Sequence, residues 1–71
     1  MKIVYDPEVD VLSVLLSDEN IAESDEEKPG LLLDYDLSGN AVALEILDAS
    51  KRMANPMSVE YAVKQPVRRP A

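Results

Sequence analysis

The stretch Gly30 to Leu47, GLLLDYDLSGNAVALEIL, limits what this chain can fold into more than any other. Two apolar runs flank a polar turn, Asp36-Leu-Ser-Gly-Asn40, which is the pattern of a β-hairpin. Alternation puts Leu31, Leu33 and Tyr35 on one side of the first strand and Leu32, Asp34 and Asp36 on the other. In the second strand Val42, Leu44 and Ile46 share a side, opposite Ala41, Ala43 and Glu45. A two-residue loop at Ser38-Gly39 pairs Leu37 with Asn40, Tyr35 with Val42, Leu33 with Leu44 and Leu31 with Ile46, so apolar meets apolar. An odd-length loop without a bulge sets Asp34 against Val42, which a buried face resists. Gly39 suits the second position of a type I′ turn, where φ is positive.

The same residues match a twelve-residue calcium loop, with Asp34, Asp36, Ser38 and Glu45 as ligands and Asn40 lending a carbonyl. Such a loop needs a helix on each side. Pro29-Gly30 disfavours a helix before it, no second copy occurs, and the alternation reads as strand. The hairpin is the preferred reading, without a metal or cofactor. A calcium-binding module at Asp34, Asp36, Ser38, Asn40 and Glu45 is the alternative.

Composition sharpens the picture. A chain of 71 residues makes one small domain, and chains this short lean on disulfides, metals or oligomerisation. There is no Cys, so no disulfide or zinc–thiolate site, and no His, the commonest metal ligand and general base. Oligomerisation is left. No run approaches the roughly 18 apolar residues of a membrane span, and Met1-Lys2-Ile3 enters a strand pattern at once. The expectation is a soluble, cytoplasmic protein. Net charge is −7, with −11 over residues 1–48 and +4 over residues 49–71. An acidic body argues against nucleic acid, whose phosphates need neutralising. It leaves the basic tail free to attract the acidic body within or between chains.

Along the chain, Lys2 to Asp6 reads as a strand, Asp6 to Asp10 as a turn preset by Pro7, and Asp10 to Ser17 as a second strand. These pair through Tyr5–Leu12 and Ile3–Val14. Asp18-Glu19-Asn20 turns the chain, with Asn20 suited to a left-handed conformation. Ile21 to Glu27 is a short acidic edge strand, whose charge opposes pairing with other chains. Asp48 is placed to cap a short helix from Ala49 to Ala54, with Lys51 and Arg52 complementing its C-terminal dipole. Asn55-Pro56 stops it. In Ser58 to Val63, SVEYAV, the alternation of Val59, Tyr61 and Val63 predicts a last strand; a helix with Val59, Ala62 and Val63 inward is the alternative. Residues 1–63 form the domain, and Lys64 to Ala71, with two prolines and three bases, an extended tail.

In sum these elements predict an α+β, mostly β fold. It is an antiparallel sheet of about five to six short strands, a meander of hairpins, with one short helix near residues 49–54.

Met1-Lys-Ile, Tyr5-Asp6-Pro7-Glu8, Asp10, Leu12, Pro29-Gly30, Asp34-Tyr35-Asp36, Gly39 and Glu45-Ile-Leu-Asp-Ala-Ser50 together resemble a family of small bacterial and archaeal proteins, domain of unknown function 2283. The resemblance covers roughly residues 1–53. It implies a compact β-rich fold with a short helix and supplies no catalytic residues. Some members lie beside small toxin-like genes, so it also implies an antitoxin-like role toward a small basic protein partner. Leu15 stands where many relatives place a long polar residue, which favours an interface here.

Nothing in the sequence assembles a catalytic centre. No serine has a histidine partner, Ser50 and Lys51 are adjacent and so do not face each other on a helix, and the two glycines form no phosphate loop. One face of the expected sheet collects Ile3, Tyr5, Leu12, Val14, Leu16, Leu31, Leu33, Tyr35, Val42, Leu44 and Ile46, with Tyr61 a further candidate, more than a six-residue helix can cover. Val11, Leu15 and Leu32 give the other face apolar character and are the interface candidates. The expectation is a non-catalytic domain that forms a homodimer, sheet to sheet, or binds a protein partner.

Overall fold

The computed structural model describes residues 1–65; residues 66–71, most of the expected basic tail, lie outside them. Five strands are followed by one short helix: β1 Lys2–Asp6, β2 Val11–Leu15, β3 Glu23–Lys28, β4 Leu31–Tyr35, β5 Ala41–Leu47 and α1 Ala49–Arg52. They form one antiparallel sheet in the order β1-β2-β5-β4-β3. The hairpin β1–β2 and the run β3–β4–β5 are joined where β5 lies against β2. The most apolar strand, β5, is thus central, and the most acidic, β3, is an edge.

The first hairpin has the expected register, with Ile3 opposite Val14 and Tyr5 opposite Leu12. The central hairpin keeps Leu31 opposite Ile46 and Leu33 opposite Leu44, but by a different route. Its loop has three residues, not two. The Gly39 amide donates to the Asp36 carbonyl at 3.0 Å, the Asp36 amide donates to the Asn40 carbonyl at 2.9 Å, and Gly39 has φ 84°. Tyr35 therefore faces Ala41, not Val42. The one-residue shift is undone at once by a bulge, because Asp34 faces Ala43 and Val42 is left over on β5. The Asp36 carboxylate explains the turn, since its Oδ1 accepts the amides of Ser38 and Asn40, each at 2.9 Å.

The bulged residue anchors the fold. Val42 is 1 % exposed, and its carbonyl accepts the amides of Leu16 at 2.7 Å and Ser17 at 3.2 Å, from the chain just beyond β2. Leu12, Ala43 and Ala49 complete the buried apolar residues among those described.

Three other expectations are corrected. Ser58 to Val63 is neither strand nor helix; no strand pairs with it, and Val59, Tyr61 and Val63 are exposed. Asn20 does not turn left-handed; Asp10 and Asp48 do, at φ 57° and 52°. Asp48 makes no side-chain cap, and α1 ends at Arg52. The cap comes from Asp10, forty residues earlier, whose Oδ1 accepts the Ser50 amide at 2.9 Å.

Gly30 is needed where β3 turns into β4. Its φ is 81°, a left-handed conformation that glycine adopts freely and other residues resist.

Candidate functional site

Asp10 is the polar side chain whose bonds reach furthest along the chain among those described, to Ser50. Oδ1 accepts the Tyr5 hydroxyl at 2.7 Å and the Ser50 amide, and Oδ2 accepts the Ser50 hydroxyl at 2.6 Å. Its main-chain carbonyl accepts the Ala49 amide at 3.0 Å. One carboxylate thus ties β1, the β1–β2 turn and the start of α1 together. The bonds from Ser50 and then Tyr5, helped by the charge of Lys51, hold its pKa below the ordinary value. The reciprocal bond raises the Tyr5 pKa, with burial and the charges of Asp10 and Asp6 adding to it. The Ser50 hydroxyl is therefore engaged as a donor to the Asp10 carboxylate. The sequence carried part of this signal, in an Asp at the end of one turn and a serine at the start of the helix. Their contact is a product of topology.

The five residues of the calcium alternative are engaged at three separate places. The Asp34 carboxylate accepts the Ser24 hydroxyl at 2.6 Å, across the β3–β4 pair. Asp36 closes its own turn, with Ser38 and Asn40 as the donors. Glu45 lies in the strand between Ser13 and Leu32. Among the described residues, no three acidic side chains come together as a metal would require.

Tyr35 makes a second cross-strand bond. Its hydroxyl donates to Glu27 Oε1 at 2.5 Å, Glu27 being the extra residue of a bulge in β3. That bond first, then burial and the charges of Glu27 and Asp25, push the Tyr35 pKa from 10.0 up to about 12. The proton on Tyr35 thus supports the fold fully below pH 10, and its contribution is lost as pH rises through about 12. In an absorbance titration Tyr35 is expected to ionise close to pH 12, and Glu27→Gln to bring that step down toward 10. A Tyr35 step unmoved by Glu27→Gln would remove the bond.

Val11, Leu15 and Leu32 share one face, as the alternation requires, but they do not form a patch. Val11 and Leu15 are at opposite ends of β2 with Ser13 between them, and Glu45 stands between Ser13 and Leu32. Leu15 is exposed; the other two are half-buried. The opposite face carries Ile3, Tyr5 and Leu12. Across from them lie Pro56, Met57 and Val59, leaving an open groove of about 490 Å³. Further along that face, Val14, Leu31, Leu33, Leu44 and Ile46 are half-buried. The chain after α1 therefore shields only one border of the apolar face. The sequence reading missed the outer edge of β1, whose residues Ile3 and Val4 are exposed.

Among the described residues no helix is long and apolar enough to cross a membrane. No curated protein and no solved structure matches the chain. A family described as "protein of unknown function (DUF2283)" matches residues 2–50, well over half of the sequence, and with the expected β-rich fold in place the chain belongs to that family.

Proposed function

We propose that this chain is a non-catalytic protein-interaction domain that completes its fold by self-association, as a homodimer in the cytoplasm. One observation carries the reading, the thinness of the core. Of the described residues, only Leu12, Val42, Ala43 and Ala49 are buried apolar side chains, and two of them are alanines. Both sheet faces keep large apolar side chains partly in contact with water, and a chain without cysteine has no disulfide to compensate. A second copy supplies the missing burial with the same residues, which is how most small homo-oligomers close.

Sedimentation velocity over a concentration series tests this. A species of twice the chain mass, dissociating on dilution, is the expected result. A monomer at every concentration would overturn it.

The acidic edge favours a second partner class. All six residues of β3 are exposed, and Glu23, Asp25, Glu26 and Glu27 are acids. A small basic protein, in an antitoxin-like arrangement, would meet that edge. Recovery of such a protein at one-to-one stoichiometry with the tagged chain, lost when β3 acids are made neutral, would support it. Recovery unaffected by those changes would refute the contact.

A further inference from the structure

The two edges of the sheet are built in opposite ways. β3 reads ESDEEK, with five of six residues charged and a bulge at Glu27. A second β3 laid against it would set acid against acid, and the bulge breaks the run of main-chain groups that pairing needs. β1 reads KIVYD and pairs with β2 through five successive residues without a bulge. It stands at the end of the sheet, and four of its five residues are exposed, Val4 at 46 %. It has no proline, and its charges sit only at its two ends.

Those charges are placed symmetrically. Lys2 and Asp6 are each two residues from Val4, on the same side of the strand. Aligning two copies antiparallel about Val4 sets Lys2 of each against Asp6 of the other, Ile3 against Tyr5, and Val4 against Val4. Opposite charges and apolar side chains directly across from one another are the pairs that stabilise antiparallel strands. A two-fold axis normal to the sheet at Val4 makes every such contact twice. It also keeps the groove-bearing faces on one side. The grooves beside β1, with Met57 76 % and Val59 57 % exposed, then adjoin across the joint.

We infer that β1 is a self-recognition edge. Two copies join through antiparallel β1 strands centred on Val4, giving one ten-stranded sheet. This rests on the self-association reading and names its surface. The contact is an edge joint, with the main-chain groups of β1 as its frame and Lys2–Asp6 as its register lock.

The test is the dimer dissociation constant of the full chain by sedimentation equilibrium, with circular dichroism confirming the sheet. Val4→Lys places two ammonium groups on the axis while making the chain less acidic, so loss of affinity cannot come from net charge. It is expected to weaken the dimer about tenfold or more, roughly the 1.4 kcal/mol that a tenfold change represents. Lys2→Glu sets acid against Asp6 and is expected to weaken it similarly. Lys2→Glu with Asp6→Lys reverses both charges and restores wild-type affinity to within about threefold. Leu37→Glu, in the β4–β5 loop, where Leu37 is 94 % exposed, leaves it unchanged. If the wild type dimerises but Val4→Lys and Lys2→Glu bind as tightly, the edge is wrong and self-association stands. Loss of the dimer on Leu37→Glu alone would place the contact at the β4–β5 loop and overturn the edge. A wild-type monomer at all concentrations removes both.

Discussion

Val42→Asp is expected to leave the chain unfolded at neutral pH. Val42 is 1 % exposed and is the residue left over at the β5 bulge. A carboxylate there would lose its water without gaining a partner. The cost, about 4 kcal/mol or more by comparison with other buried-charge substitutions, falls on a chain of 71 residues that holds only about 4–11 kcal/mol in total. The bulge would fail with it, because the Val42 carbonyl collects the Leu16 and Ser17 amides and joins the end of β2 to β5. Val42→Ala keeps the backbone and removes only methyl groups, so it is expected to fold with a lower melting temperature. Circular dichroism separates the two. A cooperative melt of Val42→Asp near the wild-type temperature would show that this position is not in the core.

Asp10→Ala is expected to have the second largest effect, and it acts through several elements at once. The substitution removes the acceptor for the Tyr5 hydroxyl, the Ser50 amide and the Ser50 hydroxyl, and it puts alanine at φ 57°. Alanine resists that conformation, whereas asparagine and glycine accept it. A fall in Tm of at least about 5 °C is expected, a sizeable loss for a domain of this length. Asp10→Asn, with the same shape and tolerance for positive φ, keeps part of the bonding and falls less. Asp10→Gly relieves the backbone but not the bonds, so it stays close to alanine. If glycine restored the wild-type Tm, strain alone would be the cause and the hydrogen bonds would count for little. The native carboxylate also carries a pH dependence. Its folded pKa lies below the ordinary 3.8, so its contribution is complete above that value and is lost as pH falls through the depressed one. Asp10→Asn is expected to flatten this acid limb.

Strands β1, β2, β4 and β5 could be read from the sequence because each has a partner whose apolar residues match its own. Ile3 with Val14, Leu33 with Leu44 and Leu31 with Ile46 follow from alternation alone. The turn between β4 and β5 could not be read, since two errors of one residue cancel. A three-residue loop followed by a bulge at Val42 leaves the same downstream register as a two-residue loop. Apolar matching cannot distinguish them. What does is the Asp36 carboxylate, which finds two amides only in the longer loop.

SVEYAV misled for a related reason. Alternation marks a segment able to lie in a sheet, not that an edge will take it up: β1 stays an edge strand beside Val59, and the segment does not pair with it. The helix cap failed similarly. Asp48 has the composition of a cap, yet the Ser50 amide is met by a carboxylate that the β1–β2 turn delivers from Asp10. The interface candidates Val11, Leu15 and Leu32 were placed on one face by parity alone. The Ser13–Glu45 row that separates them became visible only once β2 was known to lie beside β5. The symmetry of KIVYD about Val4 lay in the sequence throughout, but it acquires meaning only for a strand at the sheet's edge.

We propose that one copy of this chain leaves its fold incomplete and that a second copy completes it. The most direct test is the melting temperature of the wild-type chain over a thousandfold range of protein concentration. If association stabilises the folded state, Tm rises steadily with concentration, as mass action requires, and Val4→Lys loses that rise. A Tm independent of concentration, with a single cooperative transition throughout, would show that the thin core suffices alone and would contradict the claim.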